Sequence, residues 1–314
     1  MKILVTGGAG FIASHIVDAY IREGHDVTVI DDLSTGNRGN VNKRTRFIEL
    51  DIRDEALKKV FDESRFDVVN HHAAQINVRT SLANPFLDAS VNVLGAVRLL
   101  DYAAALGVKR FIFASSGGAI YGEPDHYPIS EDRVPQPMSP YAVAKLATEH
   151  YIKVFAQLHG FTYVILRYSN VYGPRQIGKS EAGVISIFIN EILNDRPCFV
   201  NGSGDQVRDY VFVEDVVRAN VLALDSASDV FNIGTSVETS VNRLVDELAA
   251  VTGRNIRHEH RAAIPGEVFR NSLDYSKISR TLKWRPGVSL AEGLKKTFEH
   301  FVSINAVTQK ISGS

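Results

Sequence analysis

A chain of 314 residues, 45% hydrophobic and 23% charged, has the material for a folded core; its length suits about two domains, or one large α/β unit with an appendage, and wholesale disorder is excluded. Its 35 Lys and Arg against 36 Asp and Glu leave a net charge of −1, without the basic excess of a dedicated nucleic-acid binder. The single cysteine, Cys198, excludes an intrachain disulfide and a zinc site of several thiolates, and the lack of an apolar run of signal-peptide or transmembrane length makes the cytoplasm the expected compartment, with no membrane partner.

Taken in chain order, short β-branched runs predict strands at Lys2–Thr6, Asp26–Asp31, Arg46–Leu50, Asp67–Asn70, Arg110–Ser115 and Tyr163–Tyr168. Helical patterns fall between most of them, at Phe11–Glu23, Glu55–Glu63, Pro85–Leu106 and Pro140–His159. Gly24-His25 and Leu106-Gly107 are plausible helix stops. This alternation predicts a parallel sheet with helices on both faces, joined by right-handed crossovers. After residue 169 the rhythm changes. Asn170–Gly183 reads as a long loop, followed by helices near Val184–Leu193, Val216–Asp225, Asn242–Thr252, Tyr275–Leu282 and Leu290–Phe301. Short strands are expected near Tyr210–Val213 and Val230–Ile233, and the polar tail Gln309–Ser314 is expected to fray. The expected division is a domain of residues 1–169, to which a segment of about 209–235 returns, and a smaller one built from 170–208 and 236–314.

The first strand runs directly into Thr6-Gly7-Gly8-Ala9-Gly10-Phe11-Ile12-Ala13 and then into a helix. Glycines in such a turn let the backbone approach a pyrophosphate, which the free N–H groups and positive dipole end of the helix can hold. The spacing Gly7-x-x-Gly10-x-x-Ala13 differs from the G-x-G-x-x-G of most dehydrogenases, and a plain tight turn is the other reading. The second strand ends at Asp31-Asp32, where a carboxylate takes the ribose hydroxyls of NAD and repels a 2′-phosphate. No Arg immediately follows, so NAD is expected rather than NADP; the alternative is a solvated strand-end Asp. Asp51 and Ile52, closing the third strand, are candidates to border the adenine, although Asp after a strand is also common turn chemistry.

Ligands of an open α/β sheet sit outside the carboxyl ends of its strands. The fifth strand ends there in Ala114-Ser115-Ser116-Gly117-Gly118. Further on, Tyr141 and Lys145 open a helix after Pro140, four residues apart on one face. A free Tyr, with a pKa of about 10, is a poor base at neutral pH. A neighbouring ammonium and a positively charged nicotinamide favour the phenolate, and Ser116 can hydrogen-bond the same substrate oxygen. Tyr-x-x-x-Lys alone is a common spacing; its weight comes from following a serine-bearing strand end in a dinucleotide-binding frame.

With these motifs stand His72-Ala73-Ala74-Gln75, Asn92, Leu166-Arg167-Tyr168-Ser169-Asn170-Val171-Tyr172-Gly173-Pro174-Arg175 and Arg208-Asp209-Tyr210-Val211-Phe212-Val213. Over nearly its whole length the chain resembles the extended short-chain dehydrogenases/reductases of the UDP-glucose 4-epimerase type. The resemblance implies a Rossmann-type doubly wound parallel sheet with a smaller C-terminal α/β substrate-binding domain, NAD as cofactor and a UDP-sugar as substrate. It implies Tyr141 as acid/base on the sugar 4-hydroxyl and Lys145 as holder of the nicotinamide ribose and tuner of Tyr141. Ser116 is the partner hydroxyl, with Ser115 as fallback. Gly7, Gly10, Phe11, Ile12, Asp31, Asp32, Ser34, Thr35, Gly36, Asp51, Ile52, His72, Ala73, Ala74, Gln75, Asn92, Ser115 and Tyr168 are implied to line the cofactor. Asn170, Val184, Phe199, Arg208, Arg270 and Asn271 are implied to meet the nucleotide sugar, Asn170 and Arg208 at its pyrophosphate. Arg suits the planar acceptors of a diphosphate; a surface salt bridge of Arg208 with Asp205 or Asp209 is the other reading.

Related enzymes share oxidation at C4 by hydride transfer to NAD. A 4,6-dehydratase of the family carries an Asp-Glu pair just after the strand-five Ser or Thr, and a C4-decarboxylating relative usually has a Glu there. Here those positions are Gly117-Gly118, which cannot transfer protons. The expected activity is therefore 4-epimerisation, by turning over the 4-keto sugar and returning the hydride. The alternatives are another NAD-dependent nucleotide-sugar oxidoreductase (a reductase, dehydratase or decarboxylase) or a catalytically silent NAD-binding regulatory protein on this fold. Departures from the family pattern blur the substrate. Ile264-Pro265-Gly266-Glu267 lacks a phosphate-binding Arg, leaving Arg261 or Arg270 as the replacement. Phe199-Val200-Asn201-Gly202 carries Asn where an aromatic often stacks on uracil. His72 stands in for an aliphatic residue, a packed, hydrogen-bonded His being its other reading. Asn271 falls where side-chain size gates the sugar 2-substituent, so N-acetylated sugars are expected to fit. His258-Glu259-His260 offers two His on one strand face without a third ligand, and no metal is expected. In relatives, the helices at 85–106 and 139–159 pair across a two-fold axis, so a homodimer is expected; the alternative is that they simply cover the sheet.

Overall fold

The computed structural model describes residues 1–176, 183–263 and 268–312, with side chains described through residue 305. The first half lays down β1 (Lys2–Thr6), α1 (Phe11–Arg22), β2 (Asp26–Asp31), β3 (Arg46–Glu49), α2 (Leu57–Glu63) and β4 (Val68–His71). It continues with α3 (Val78–Ala83), α4 (Pro85–Ala89), a π-helical segment Ser90–Gly95, α5 (Ala96–Ala105), β5 (Arg110–Ser116), α6 (Gly117–Ile120), α7 (Pro140–His159) and β6 (Thr162–Tyr168). The middle of β1, Ile3-Leu4-Val5, is wholly apolar because both of its faces are covered. Ile3 and Val5 enter one core with Ile16, Tyr20 and Val29, whereas Leu4, pointing the other way, joins Ile30, Phe61, Leu99 and Phe111.

The remainder forms β7 (Asn170–Tyr172), α8 (Val184–Leu193), β8 (Cys198–Asn201), β9 (Val207–Phe212), α9 (Val213–Ala223), β10 (Asp229–Ile233), β11 (Glu238–Ser240), α10 (Val241–Thr252), β12 (His258–Arg261), α11 (Ser276–Leu282) and α12 (Leu290–Ser312). The main sheet has seven parallel strands in the order β10-β6-β5-β4-β1-β2-β3. Strand order reverses between β1 and β4, the point of such a sheet at whose carboxyl ends ligands bind. A three-stranded sheet, β11-β9-β7, and a pair, β12-β8, surround a separate core of Tyr172, Phe188, Val200, Phe212, Leu244 and Leu294. β10 returns to the main sheet beside β6, and α9 packs on α1, where the Tyr20 hydroxyl donates to the Asn220 carbonyl at 3.2 Å.

Several expected elements change. Pro85–Leu106 is interrupted: Asn84 caps α4 by accepting from the Leu87 N–H at 3.0 Å, and the helix then widens into the π-helical segment around Asn92. Such widenings concentrate at functional sites. α3, capped by Asn77 through the Thr80 N–H, was not expected. β7 occupies the start of the expected loop. α9 begins at Val213, three positions before the apolar pattern shows it, with Glu214 and Asp215 in its first turn favouring the positive helix end. α12 runs to Ser312, into the tail expected to fray. α7 keeps its expected bounds because its ends are chemically marked: Ser139 accepts from the Ala142 N–H, Pro140 is the first helical residue, and Gly160 closes the helix in the left-handed region. No helix among the described residues is long and apolar enough to cross a membrane.

Candidate active site

The turn after β1 closes against the β4 end. Gly7, at φ +71°, donates to the Ile30 carbonyl at 2.7 Å, and Gly10 donates to the Gly7 carbonyl at 3.0 Å. A Cβ on Gly7 would lie 2.7 Å from the Ala73 nitrogen, so only glycine fits beside that backbone. Gly10 precedes α1 without a side-chain cap, leaving the first-turn N–H groups at Phe11 and Ile12 facing outward with the helix dipole. Asp31 ends β2 buried. One of its oxygens accepts the Ala9 N–H and the other the Leu33 N–H, each at 2.9 Å, and burial raises its pKa. It therefore builds the turn as well as facing it. Asp32 is exposed and accepts from the Ser34 backbone and hydroxyl; Thr35 is exposed, and Gly36 packs against Asp31.

Asp51 and Ile52, expected to border the adenine, each have a structural partner. Asp51 is held by the Arg53 guanidinium, whose hydrogen bonds lower its pKa. The Ile52 side chain points into the core beneath Gly95.

Beyond β4, the His72 Nε2 meets the Tyr168 hydroxyl at 3.1 Å, and that hydroxyl accepts from Asn220 Nδ2 at 2.8 Å. Burial holds His72 neutral, its pKa pushed down to about 3. Packed and hydrogen-bonded, it fulfils the second of its two expected readings. Ala73 and Ala74 lead to Gln75, whose backbone N–H and carbonyl are both bound by the Asn92 amide, at 3.0 and 2.9 Å. The π-helical segment presents Asn92 to this loop, and the Thr148 hydroxyl of α7 donates to the Asn92 carbonyl at 2.8 Å.

The Ser116 side chain, at the β5 end, and Tyr141 of α7 are neighbours. Burial pushes the Tyr141 pKa up to about 12, only partly offset by Ser116. Lys145, one turn along α7, donates to the Ala114 carbonyl at 2.9 Å and lies 4.8 Å from the Phe113 ring centroid and 5.9 Å from that of Tyr141. Burial pushes its pKa down to about 8. Ser115 is not interchangeable with Ser116. Its hydroxyl donates to Glu149 at 2.6 Å, in a fully buried cluster where Arg167 grips the same carboxylate and also donates to the Tyr121 hydroxyl at 2.7 Å. The fallback role therefore has no free hydroxyl to carry it.

The remaining predicted residues form two groups. Asn170 and Asn271 approach the reaction centre: a Cβ on Gly118 would lie 3.8 Å from Asn170 Oδ1 and 4.0 Å from Ser116 Oγ, and Asn271 Nδ2 donates to the Gly117 carbonyl at 3.3 Å. Arg208 lies on β9 and donates to the Val207 and Phe269 carbonyls, while a bridge between Val207 and Arg270 brings Arg270 alongside. Arg270 pairs with Glu238 at 2.9 Å. Asp209, considered as a partner for Arg208, is instead buried and accepts from Thr235, Ser236 and Leu273. Val184 is the half-buried first residue of α8, and Phe199 lies beneath the Arg261 guanidinium, 3.1 Å from the ring centroid. The departure at Ile264-Pro265-Gly266-Glu267 lies outside the described residues. His258 and His260 lie on exposed β12, and among the described residues no three candidate metal ligands gather.

Sequence reasoning missed Asp88, Glu149 and Arg167. Two of them carried a signal: Glu149 is spaced four after Lys145 and Asp88 four before Asn92, each pair sharing a helix face.

Residues 3–234 match the profile of the NAD dependent epimerase/dehydratase family. The UDP-glucose 4-epimerase of Thermotoga maritima, solved with UDP-glucose, is 45% identical with a TM-score of 0.95, covering 97% of this chain and 100% of that one. The UDP-glucose 4-epimerase of Thermus thermophilus, solved with NAD, is 42% identical with a TM-score of 0.93, covering 96% of this chain and 99% of that one. The UDP-glucose 4-epimerase of Mycolicibacterium smegmatis is 42% identical over 96% of this chain and 98% of its own length.

Proposed function

We propose that this chain, which belongs to the NAD dependent epimerase/dehydratase family, is a UDP-sugar 4-epimerase that interconverts UDP-glucose and UDP-galactose. The observation that carries this reading is the Ser116–Tyr141–Lys145 group beside a strand end continued by Gly117 and Gly118. One phenol can move a proton there, and the two positions that follow Ser116 have no side chain with which to eliminate water.

The residues present fit NAD. The left-handed Gly7 turn, the space beside Ala73 that a Cβ would fill and the uncapped start of α1 form a cradle for a diphosphate. Asp31, Asp32 and Ser34 supply acceptors for ribose hydroxyls, while Tyr168 and the Asn92–Gln75 clasp form the wall on the β4 side. When bound, NAD supplies the two-electron acceptor and donor for the sugar C4 carbon and a positive ring charge beside Tyr141.

Alone, Tyr141 keeps its proton at neutral pH, so added positive charge is needed for its oxygen to act as a base. It then takes the proton of the sugar 4-hydroxyl and later returns one to the same oxygen, Ser116 hydrogen-bonding that oxygen in both steps. Lys145 orients the ribose and steadies the phenolate. The glycine floor supports turnover of the keto sugar within the site. Arg208 supplies a cation for the UDP diphosphate, and Asn271, smaller than an aromatic gate, supports acceptance of N-acetylated sugars.

We read residues 1–169 with about 209–235 as the NAD domain and 170–208 with 236–314 as the substrate domain; the pairing of β10 with β6 supports this division. Exposed Phe86 (83%), Leu94 (62%) and Leu158 (71%), on the helices at 85–106 and 139–159, support a homodimer. We place the protein in the cytoplasm, a reading supported by its dependence on NAD and its single buried cysteine.

The test is separate incubation with UDP-glucose, UDP-N-acetylglucosamine and UDP-glucuronate, followed by separation of the products. The expected product is the 4-epimer, without net NADH release. A dehydrated or decarboxylated product, or stoichiometric NADH, overturns the reading. Turnover of UDP-glucose without UDP-N-acetylglucosamine refutes the role given to Asn271. Tyr141→Phe is expected to abolish turnover while NAD remains bound; a variant that still turns over contradicts the mechanism.

A further inference from the structure

β5 meets α7 through a face that is apolar until its last position. Phe111 and Phe113 of β5 share a core with Ile152 and Ala156 of α7, and Ser115, two positions further on, points the same way. There its hydroxyl donates to Glu149 Oε1 at 2.6 Å. Arg167 stands opposite Ser115 on β6, and Asn232 opposite Arg167 on β10, so a buried polar row crosses three strands near their carboxyl ends. Arg167 grips both Glu149 oxygens and donates to the Tyr121 hydroxyl, which donates in turn to Asn232 Oδ1 at 2.9 Å.

This row lies beside the reaction centre. Tyr141, Lys145 and Glu149 are four apart on one face of α7. Tyr141 neighbours Ser116, Lys145 donates to the Ala114 carbonyl at 2.9 Å, and Glu149 accepts from Ser115. The two residues before Ser116 are thus each tied to the helix that carries Tyr141. After Ser116 come Gly117 and Gly118, which have no side chains to hold the turn from the other side. Apolar packing is non-directional and lets a strand end turn, whereas buried hydrogen bonds to an ion pair fix one arrangement. A buried ion pair adds little stability over apolar packing of the same size, which leaves that fixing as its use.

We propose that Ser115 is a positioning residue for Ser116: its hydroxyl, anchored on the Glu149–Arg167 pair, fixes the rotation of the β5 end so that the next hydroxyl along the chain faces the Tyr141 phenol. Ser115 touches no reacting atom, its own hydroxyl being spent on Glu149. Its loss is therefore felt in the chemical step, where alignment counts, and not in the binding of cofactor or substrate. The proposal rests on the 4-epimerase reading above.

The test is Ser115→Ala, with kcat and KM for UDP-glucose, NAD affinity by calorimetry and thermal unfolding measured on the same protein. Glu149 keeps both Arg167 contacts in this variant, so no charge is stranded. The melting temperature is expected to fall by about 3 °C or less. kcat is expected to fall about tenfold, with KM and the NAD Kd changed by less than about twofold. Ser115→Cys, of similar size and with only a weak donor, is expected to lower kcat in the same way and serves as a second variant. In a Ser116→Ala background, S115A is expected to add less than about twofold, because the hydroxyl it positions is already gone. Tyr121→Phe breaks the same buried row on the far side of Arg167; it is expected to lower the melting temperature while kcat stays within about twofold. An unchanged kcat in both Ser115 variants overturns the proposal. So does a loss matched by weaker binding of NAD or substrate, a full loss that persists without the Ser116 hydroxyl, or an equal loss in Tyr121→Phe. An unaltered protein that epimerises no UDP-sugar refutes the underlying reading, and the proposal with it, before any variant is compared.

Discussion

Replacing Arg167 by Met tests the ion pair beneath the reaction centre. Arg167 is 4% exposed and Glu149 fully buried. Their contacts run from Nε to Oε1 at 3.0 Å and from Nη2 to Oε2 at 2.6 Å, and Nη1 also serves the Tyr121 hydroxyl. Met fills most of the volume but leaves Glu149 with the Ser115 hydroxyl as its remaining donor here. Breaking one side of a buried pair costs about 3–5 kcal/mol, mostly for the stranded charge. The pH dependence follows from that charge. Without Arg167, the folded protein binds a proton at Glu149 more readily than the unfolded chain does. The deficit is therefore smallest below the unfolded carboxylate's pKa of about 4.3 and grows as pH rises above it. Urea unfolding at pH 5 and pH 7 measures this, and the Arg167→Met, Glu149→Gln double variant is expected to recover at least half the loss. A loss under about 1 kcal/mol, or one indifferent to both pH and Glu149→Gln, would refute the reasoning.

Gly7→Ala forces a left-handed φ on a residue with a Cβ, costing about 1–2 kcal/mol, and drives that Cβ to 2.7 Å from the Ala73 backbone. NAD affinity is expected to fall by about tenfold or more, and an unchanged calorimetric Kd would count against the cradle. His72, held near a pKa of about 3, is neutral in the folded protein but protonates when unfolded below about pH 6.5. Its contribution to stability is therefore complete above that pH and is lost on acidification, by about 1.4 kcal/mol per pH unit. His72→Leu is expected to flatten the stability profile between pH 4 and 6.5; parallel profiles for the two proteins would rule this out.

Readability from sequence depended on how far apart the cooperating residues lie. The β1 turn, the Tyr141–Lys145 spacing and the caps of α7 are local, and their chemistry is written in consecutive or four-apart positions. The interruption at Asn92 was hidden because the apolar pattern runs through it unchanged; the widened segment carries an amide bound to Gln75, seventeen residues away. β8, β11 and β12 are three or four residues long, too short for a period of two to show. Ser115 and Ser116 look alike in sequence, and only the position of Glu149 separates a structural hydroxyl from a reactive one.

The last strand of the main sheet comes from late in the chain, and α9, just before it, covers α1 through contacts spanning 200 residues. A growing polypeptide that has emerged only as far as β6 exposes an unpaired sheet edge and one uncovered helix face. It must wait for α9 and β10 to be synthesised before either is closed. Folding during synthesis is therefore expected to finish late and in one step, and a fragment ending at residue 169 should be prone to aggregate rather than stand as a free nucleotide-binding module.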